Sequence, residues 1–200
     1  MTTFEEKYFI QSGTSNYIDY RKRKWAKLAE DLISILKIDP QTQLLDFGCA
    51  TGGLIRELKN RGIVNIKGTD ISYWAIEYGK QALELTDELE FCNINLLTKD
   101  FDIILFLDVL EHIPTVGELR KLLNLANADR ITVRVPISAI EGENYVLLVS
   151  RNDTTHIQCH TKEWWINLLN ECGYKIDTFL NGDAIYDSEG VFAGVFTKCR

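Results

Sequence analysis

The sequence predicts a single α/β domain: a doubly wound, seven-stranded, mostly parallel sheet with helices on both faces and a C-terminal antiparallel β-hairpin. Three observations predict it. First, LLDFGCATGG at 44–53 runs from apolar residues and an acid into glycines, and LIRELKNRG then takes up helical spacing. That is a strand, a tight turn and a helix start in one piece. Second, apolar runs and helical spacing keep alternating, giving five β-α units that right-handed crossovers wind into an open sheet. Third, YKIDTFL and GVFAGVFTKC are joined by the turn-rich NGDAIYDSEG, which reads as a hairpin adding an antiparallel strand at the sheet edge.

The elements follow in order. Residues 1–19 are aromatic and polar without clear period, and the first helix is expected from Tyr20 to Lys37, closed by Pro40. Its buried stripe is Trp25, Leu28, Ala29, Leu32 and Leu36, which makes RKRKWAK at 21–27 a solvated helix face. Strand one is 44–47 and its helix spans 53–61, ending at Gly62. Strand two, IVNIKGTD, leads to a helix capped by Ser72. A third strand is expected at 88–94. FDIILFLDVL, from 101, is almost wholly apolar, as suits a central parallel strand covered on both faces. A helix from Thr115 to Ala126 precedes a fifth strand, ITVRVPI. Residues 136–160 form a long, weakly periodic segment, and such loops in compact domains usually serve function. TKEWWINLLNECG is a helix with Thr161 at its cap and Gly173 at its end.

Composition bounds the function. A chain of 200 residues, 46% hydrophobic, fits one domain that buries about 70% of its unfolded surface. Five scattered cysteines (Cys49, Cys92, Cys159, Cys172 and Cys199) with no Cys-x-x-Cys pair suit a reducing, cytoplasmic setting. No apolar run approaches the roughly 20 residues of a membrane span, so no membrane insertion is expected. Lys and Arg total 22 against 29 Asp and Glu; the net charge of -7 opposes a phosphate backbone and disfavours nucleic acid.

The junction after strand one places a nucleotide-like ligand against bare backbone, because Gly48 and Gly52 lack the Cβ atoms that would hold it away. Asp46, Gly48 and Gly52 stand in the register Asp-x-Gly-x-Gly-x-Gly, with Ala50 at the middle glycine. This segment resembles motif I of the class I S-adenosylmethionine-dependent methyltransferases, and the resemblance extends over almost the whole chain. Alanine is expected to keep the turn in ordinary dihedrals, with slightly less room for the ligand.

The resemblance implies S-adenosyl-L-methionine as cofactor and S-adenosyl-L-homocysteine as product. It also implies cofactor-binding residues at the strand ends. Asp46, Gly48, Cys49 and Gly52 follow strand one, with Asp46 orienting the methionine ammonium. Asp70, in GTDIS, accepts from both ribose hydroxyls, and Ile71 packs on the adenine, as Trp74 also would. Asn95, followed by Leu96, takes the adenine-recognising position. Leu107 and Asp108, in FLDVLEHIP, lie beside the methyl donor, with Glu111 and His112 farther toward the substrate.

Methyl transfer is an in-line displacement that needs alignment more than acid–base work. His112 is the leading general-base candidate and His156 the second, the alternative being that such residues only shape their turns. His156 belongs to NDTTHIQCHTKEWW, which gathers Asp153, His160 and Trp165 and resembles a substrate-facing stretch of related small-molecule enzymes. His156, Cys159 and His160 lack a fourth metal ligand, so no metal is expected. Tyr8, Phe9, Tyr17 and Tyr20 are candidates for an aromatic lid.

Three organisational parts follow: a lid and helix segment at 1–37, a cofactor-binding core at 40–135 and a substrate-side part at 136–200. The expected function is methyl transfer to an oxygen or nitrogen of a small-molecule acceptor. The alternatives are a nicotinamide oxidoreductase, which GCATGG suits poorly for want of Gly-x-Gly-x-x-Gly, and a non-catalytic cofactor-binding scaffold.

Overall fold

The computed structural model describes residues 4–11 and 19–199. Its seven-stranded sheet has the order β3-β2-β1-β4-β5-β7-β6. The strands are β1 Leu44–Phe47, β2 Ile66–Asp70, β3 Leu89–Phe91, β4 Phe101–Leu107, β5 Ala128–Pro136, β6 Tyr174–Phe179 and β7 Val191–Lys198. β1 to β5 pair in parallel, while β7 runs antiparallel to both β5 and β6. The terminal hairpin therefore joins the sheet through its second strand and leaves β6 at the edge. The expected fold class is the observed one.

Alternation along the strands splits the core in two. Leu44, Ile103, Leu105 and Leu107 face α2 (Trp25–Leu36), α3 (Gly53–Asn60) and α4 (Tyr73–Ala82). Leu45, Ile104 and Phe106 face α5 (Val116–Leu125) and α7 (Lys162–Glu171), where Trp165 and Leu169 are fully buried. A residue's parity in β4 thus decides which helical layer it meets.

The strand order reverses between β1 and β4. Each neighbouring strand sends its next connection to the opposite face there, which opens a crevice beyond the carboxyl ends.

Three expectations change. The first helix begins at Trp25, and Tyr20–Lys22 is a separate 3-10 turn capped by Asp19. RKRK therefore precedes the helix: Arg21 is 2.8 Å from Asp19, and the half-buried Arg23 lies 4.0 Å from Asp108. The third strand stops at Phe91, because Cys92 turns the chain at φ 47° and a 3-10 turn follows over Ile94–Thr98. Within 136–160 a short helix, α6, covers Leu148–Arg151. A further short helix, α1 (Glu6–Ile10), precedes all of these, and Tyr17 lies outside the described residues.

Candidate active site

A cavity of about 750 Å³ opens beyond the carboxyl ends of β1, β2 and β4. Its floor is Phe47, Gly48, Thr69, Asp70, Asp108 and Val109. That volume falls within the roughly 300–1,000 Å³ of small-molecule sites.

The turn after β1 is held by backbone contacts from β2. The N–H groups of Gly48 and Cys49 donate to the Thr69 carbonyl at 2.8 and 3.1 Å, and the Ala50 N–H donates to Asp70 Oδ2 at 2.8 Å. Gly48, Ala50 and Gly52 all have positive φ, at 83°, 50° and 74°. Ala50 thus departs from ordinary dihedrals, contrary to expectation: the glycine-like turn is kept at the cost of a strained alanine. A Cβ on Gly48 would sit 2.3 Å from Val109 Cγ2, so that position admits only glycine.

Asp70 is the hub. Its Oδ1 accepts the Ser72 N–H at 2.8 Å while Oδ2 takes Ala50, and Ser72 in turn caps α4 through Ala75. Burial raises its carboxyl above the ordinary value, and these backbone donors partly offset that. Asp46 lies behind, 4% exposed. Burial first, then the charge of Asp70, push it up to about 7 against the pull of Arg23. A buried acid of this kind, beside a second acid and a side-chain-free backbone, suits a ligand carrying hydroxyls and positive charge.

The remaining sequence candidates divide. Gly48, Asp70, Ile71, His112 and His156 line the cavity. Cys49 and Gly52 do not: the Cys49 thiol packs toward Gly68, and a Cβ on Gly52 would meet Leu85 at 2.7 Å, so that glycine serves packing. Asn95 is exposed and Leu96 is buried in the core against α5. Because β3 ends early, Cys92, Asn93 and Ile94 reach the cavity instead. Leu107 belongs to the core on the α2–α3 face, and the next residues, Asp108 and Val109, meet the cavity. Asp108 adopts φ 59° and is ion-paired with Arg134. Trp74 stacks on Phe9 with ring centroids 5.8 Å apart and does not reach the lining.

Phe4, Tyr8, Phe9 and Tyr20 cover one side. Tyr8 donates its hydroxyl to Asp153 Oδ2 at 3.1 Å, which ties α1 to the 153–158 segment. That segment is anchored below by the Glu111 carbonyl, which accepts from Ile157 and Gln158 at 2.7 and 2.9 Å. Of the expected cluster, His156 lines the cavity, and Asp153 is buried behind it, accepting from Tyr8. His160 stacks on Trp164 at 3.5 Å and pairs with Glu141 at 2.6 Å, and Trp165 is core.

The acceptor end holds Glu111, His112 and His156, whose ligating atoms lie within 4.8 Å of one another. Glu111 is fully buried and neither carboxylate oxygen has a hydrogen-bond partner. Burial raises its carboxyl well above the ordinary value, with Asp108 adding to the shift. Burial likewise lowers both histidines, leaving neutral imidazoles. Sequence reasoning placed Glu111 only near the substrate. Nothing local marks it as lacking a partner.

The family model described as "Methyltransferase domain" matches residues 17–178. No curated protein matches the chain. Among solved structures, the PH0226 protein from Pyrococcus horikoshii OT3 is similar at 16% identity and a TM-score of 0.67, with 98% of this chain and 99% of that one covered. Magnesium protoporphyrin IX methyltransferase from Synechocystis PCC 6803, with bound SAH, shares 17% identity at a TM-score of 0.62, covering 95% and 91%. A SAM-dependent methyltransferase from Archaeoglobus fulgidus shares 15% at 0.63, covering 88% and 95%.

Proposed function

The chain belongs to the methyltransferase domain family, and from that premise we propose that it transfers a methyl group from S-adenosylmethionine to an oxygen or nitrogen of a small-molecule acceptor. The observation that carries the reading is the pair of acids at the ends of adjacent strands, Asp46 and Asp70, around the left-handed Gly48. A sulfonium cofactor carries positive charge, two ribose hydroxyls and no phosphate, which is the chemistry this pair suits.

Asp70 accepts the ribose hydroxyls with the lone pairs its backbone donors leave free. Asp46 offsets the cationic methionine end, gaining the counter-charge that burial denies it. Gly48 lets the chain approach closely, and Ile71, Cys92, Asn93 and Ile94 border the adenine end. When bound, the cofactor supplies an electrophilic methyl on sulfur. The chain's part is then to align an acceptor lone pair behind that methyl and exclude water. Phe4, Tyr8 and Phe9 form the cover. His112 and His156 face the acceptor and present unprotonated nitrogen to it.

By this reading residues 1–37 provide cover, 40–135 hold the cofactor and 136–200 shape the acceptor side. The largely apolar cavity and the net charge of -7 favour a metabolite over nucleic acid. No helix among the described residues is long and apolar enough to cross a membrane, and the cysteine usage suits the cytoplasm.

The test is turnover. Purified protein is incubated with methyl-labelled S-adenosylmethionine and a panel of hydroxylated and amino metabolites, and S-adenosylhomocysteine is measured. Acceptor-dependent product that disappears in Asp70→Ala supports the reading. Absence of product across the panel, with no binding of S-adenosylhomocysteine, contradicts it.

A further inference from the structure

We propose that Glu111, His112 and His156 form a binding site for one divalent transition-metal cation at the acceptor end of the cavity. The hydrogen-bond network assigns the tautomer of both rings. His112 Nδ1 lies 3.0 Å from the Thr155 carbonyl and 3.0 Å from Thr155 Oγ1. That hydroxyl spends its own proton on Asp153 Oδ1 at 2.6 Å, so both Thr155 oxygens only accept. His112 Nδ1 therefore carries the hydrogen. His156 Nδ1 lies 3.2 Å from the Ser150 carbonyl, which also only accepts.

Each Nε2 is left with a bare lone pair, held by a backbone oxygen on the far side of the ring. This is how ligating histidines are oriented.

What those lone pairs face argues for a cation. His156 Nε2 is 4.0 Å from Glu111 Oε1 and 3.7 Å from Asp153 Oδ2. Both distances are too long for a hydrogen bond. Glu111 is fully buried with both oxygens unpartnered, and the Tyr145 hydroxyl, whose ring packs on His156 at 5.4 Å, is also unpartnered. The unpartnered Glu111 carboxyl and the ring nitrogens thus share one pocket without a hydrogen bond joining them. A cation there takes the place of the carboxyl proton, satisfies Glu111 and engages the ring nitrogens together.

Ligand bonds of about 2.0–2.2 Å in a tetrahedral set place donors roughly 3.3–3.6 Å apart, so side-chain adjustment of about an ångström closes this set, whose atoms lie within 4.8 Å of one another. Two imidazoles and one carboxylate suit the manganese-to-zinc series better than calcium or magnesium. Three protein ligands leave open positions, and His112 and His156 line the cavity, so those positions face the acceptor. The inference deepens the proposed function by giving the acceptor an oxygen donor that coordinates the cation, and in that respect it rests on that reading.

The cysteines are kept out by position. The Cys159 thiol donates to the Glu143 carbonyl at 3.2 Å, outside this cluster.

The test uses the full chain, stripped with chelator and titrated with Co²⁺ under reducing conditions, in the wild type, Glu111→Gln and His156→Gln. The wild type is expected to bind one equivalent, with visible d–d absorption and no near-ultraviolet thiolate band. Each variant is expected to weaken binding by about 100-fold, a loss at least as large as that from removing an orienting partner. Circular dichroism and S-adenosylhomocysteine titration of the same samples report folding and the cofactor site. Absence of binding by the folded wild type, a thiolate band, or wild-type affinity in both variants overturns the proposal. Cobalt binding without S-adenosylhomocysteine binding would keep the cation site and overturn the methyl-transfer reading.

Discussion

Asp70 accepts the Ala50 N–H at 2.8 Å, so the carboxylate at the end of β2 holds the turn after β1 in its left-handed form. One side chain both shapes the cofactor turn and faces the cavity. Replacing it by alanine is expected to weaken S-adenosylhomocysteine binding at least 100-fold, since two charge-assisted hydrogen bonds contribute about 1.5–3 kcal/mol each. Urea unfolding is expected to show a loss of about 1–3 kcal/mol, from the orphaned N–H groups of Ala50 and Ser72. Unchanged binding in the variant would remove Asp70 from the site.

Gly48 and Ala50 share a left-handed backbone but differ in what surrounds them. At Gly48 a Cβ would sit 2.3 Å from Val109, so Gly48→Ala is expected to cost about 2–4 kcal/mol from combined strain and overpacking. At Ala50 the Cβ is already housed, and only the dihedral is strained. Ala50→Gly is expected to be neutral to about 1 kcal/mol stabilising, the relief of strain being offset by a looser unfolded chain. Denaturant midpoints of the two variants are expected to move in opposite directions or only for Gly48→Ala.

Asp46 makes stability depend on pH. Its folded carboxyl titrates at about 7, against about 3.9 when unfolded. A raised acid favours folding fully below the unfolded value, and the contribution is lost as pH rises through 7. The ligand-free protein is therefore expected to lose a few kcal/mol between about pH 4 and 7, with a slope of about 1.4 kcal/mol for each pH unit in that window. Asp46→Asn is expected to flatten that slope. Affinity for the cationic S-adenosylmethionine is expected to run the other way, rising through pH 7 as Asp46 ionises. Denaturant unfolding across this range measures the first effect, and calorimetric titration at about pH 6 and 8, either side of the folded value, measures the second.

Phe9 is 4% exposed, packs with Ala50 and Ala75, and stacks on Trp74. Phe9→Ala is expected to loosen α1 and weaken S-adenosylhomocysteine binding about tenfold, because the cover that excludes water is lost. Trypsin cleavage at Lys7 is expected to accelerate in the variant and slow with ligand. Identical cleavage rates with and without ligand would contradict the lid.

Much of this was legible in the sequence because its signals are local. LLDFGCATGG and GTDIS each pack a strand end, a turn and a helix start into a few residues, and both meet the cavity where the strand order reverses. Placement was less legible where a boundary shifted or parity decided. Cys92 turns the chain early, so Asn93 and Ile94 rather than Asn95 and Leu96 line the cavity. Leu107 shares the parity of Ile103 and Leu105 and falls into the core. Gly52 resembles a cofactor glycine, yet Leu85 explains it. Glu111 and His156 were out of reach as a cluster, because the weakly periodic 136–160 segment carries no signal for how it folds back on β4.

Asp46, Gly48 and Asp70 are expected together to hold a sulfonium-type nucleoside. Calorimetric titration of the full chain with S-adenosylhomocysteine, with NADH in parallel, tests this most directly. One-to-one binding of S-adenosylhomocysteine, with no heat from NADH, is the expected result. A folded protein that binds NADH and ignores S-adenosylhomocysteine would contradict it.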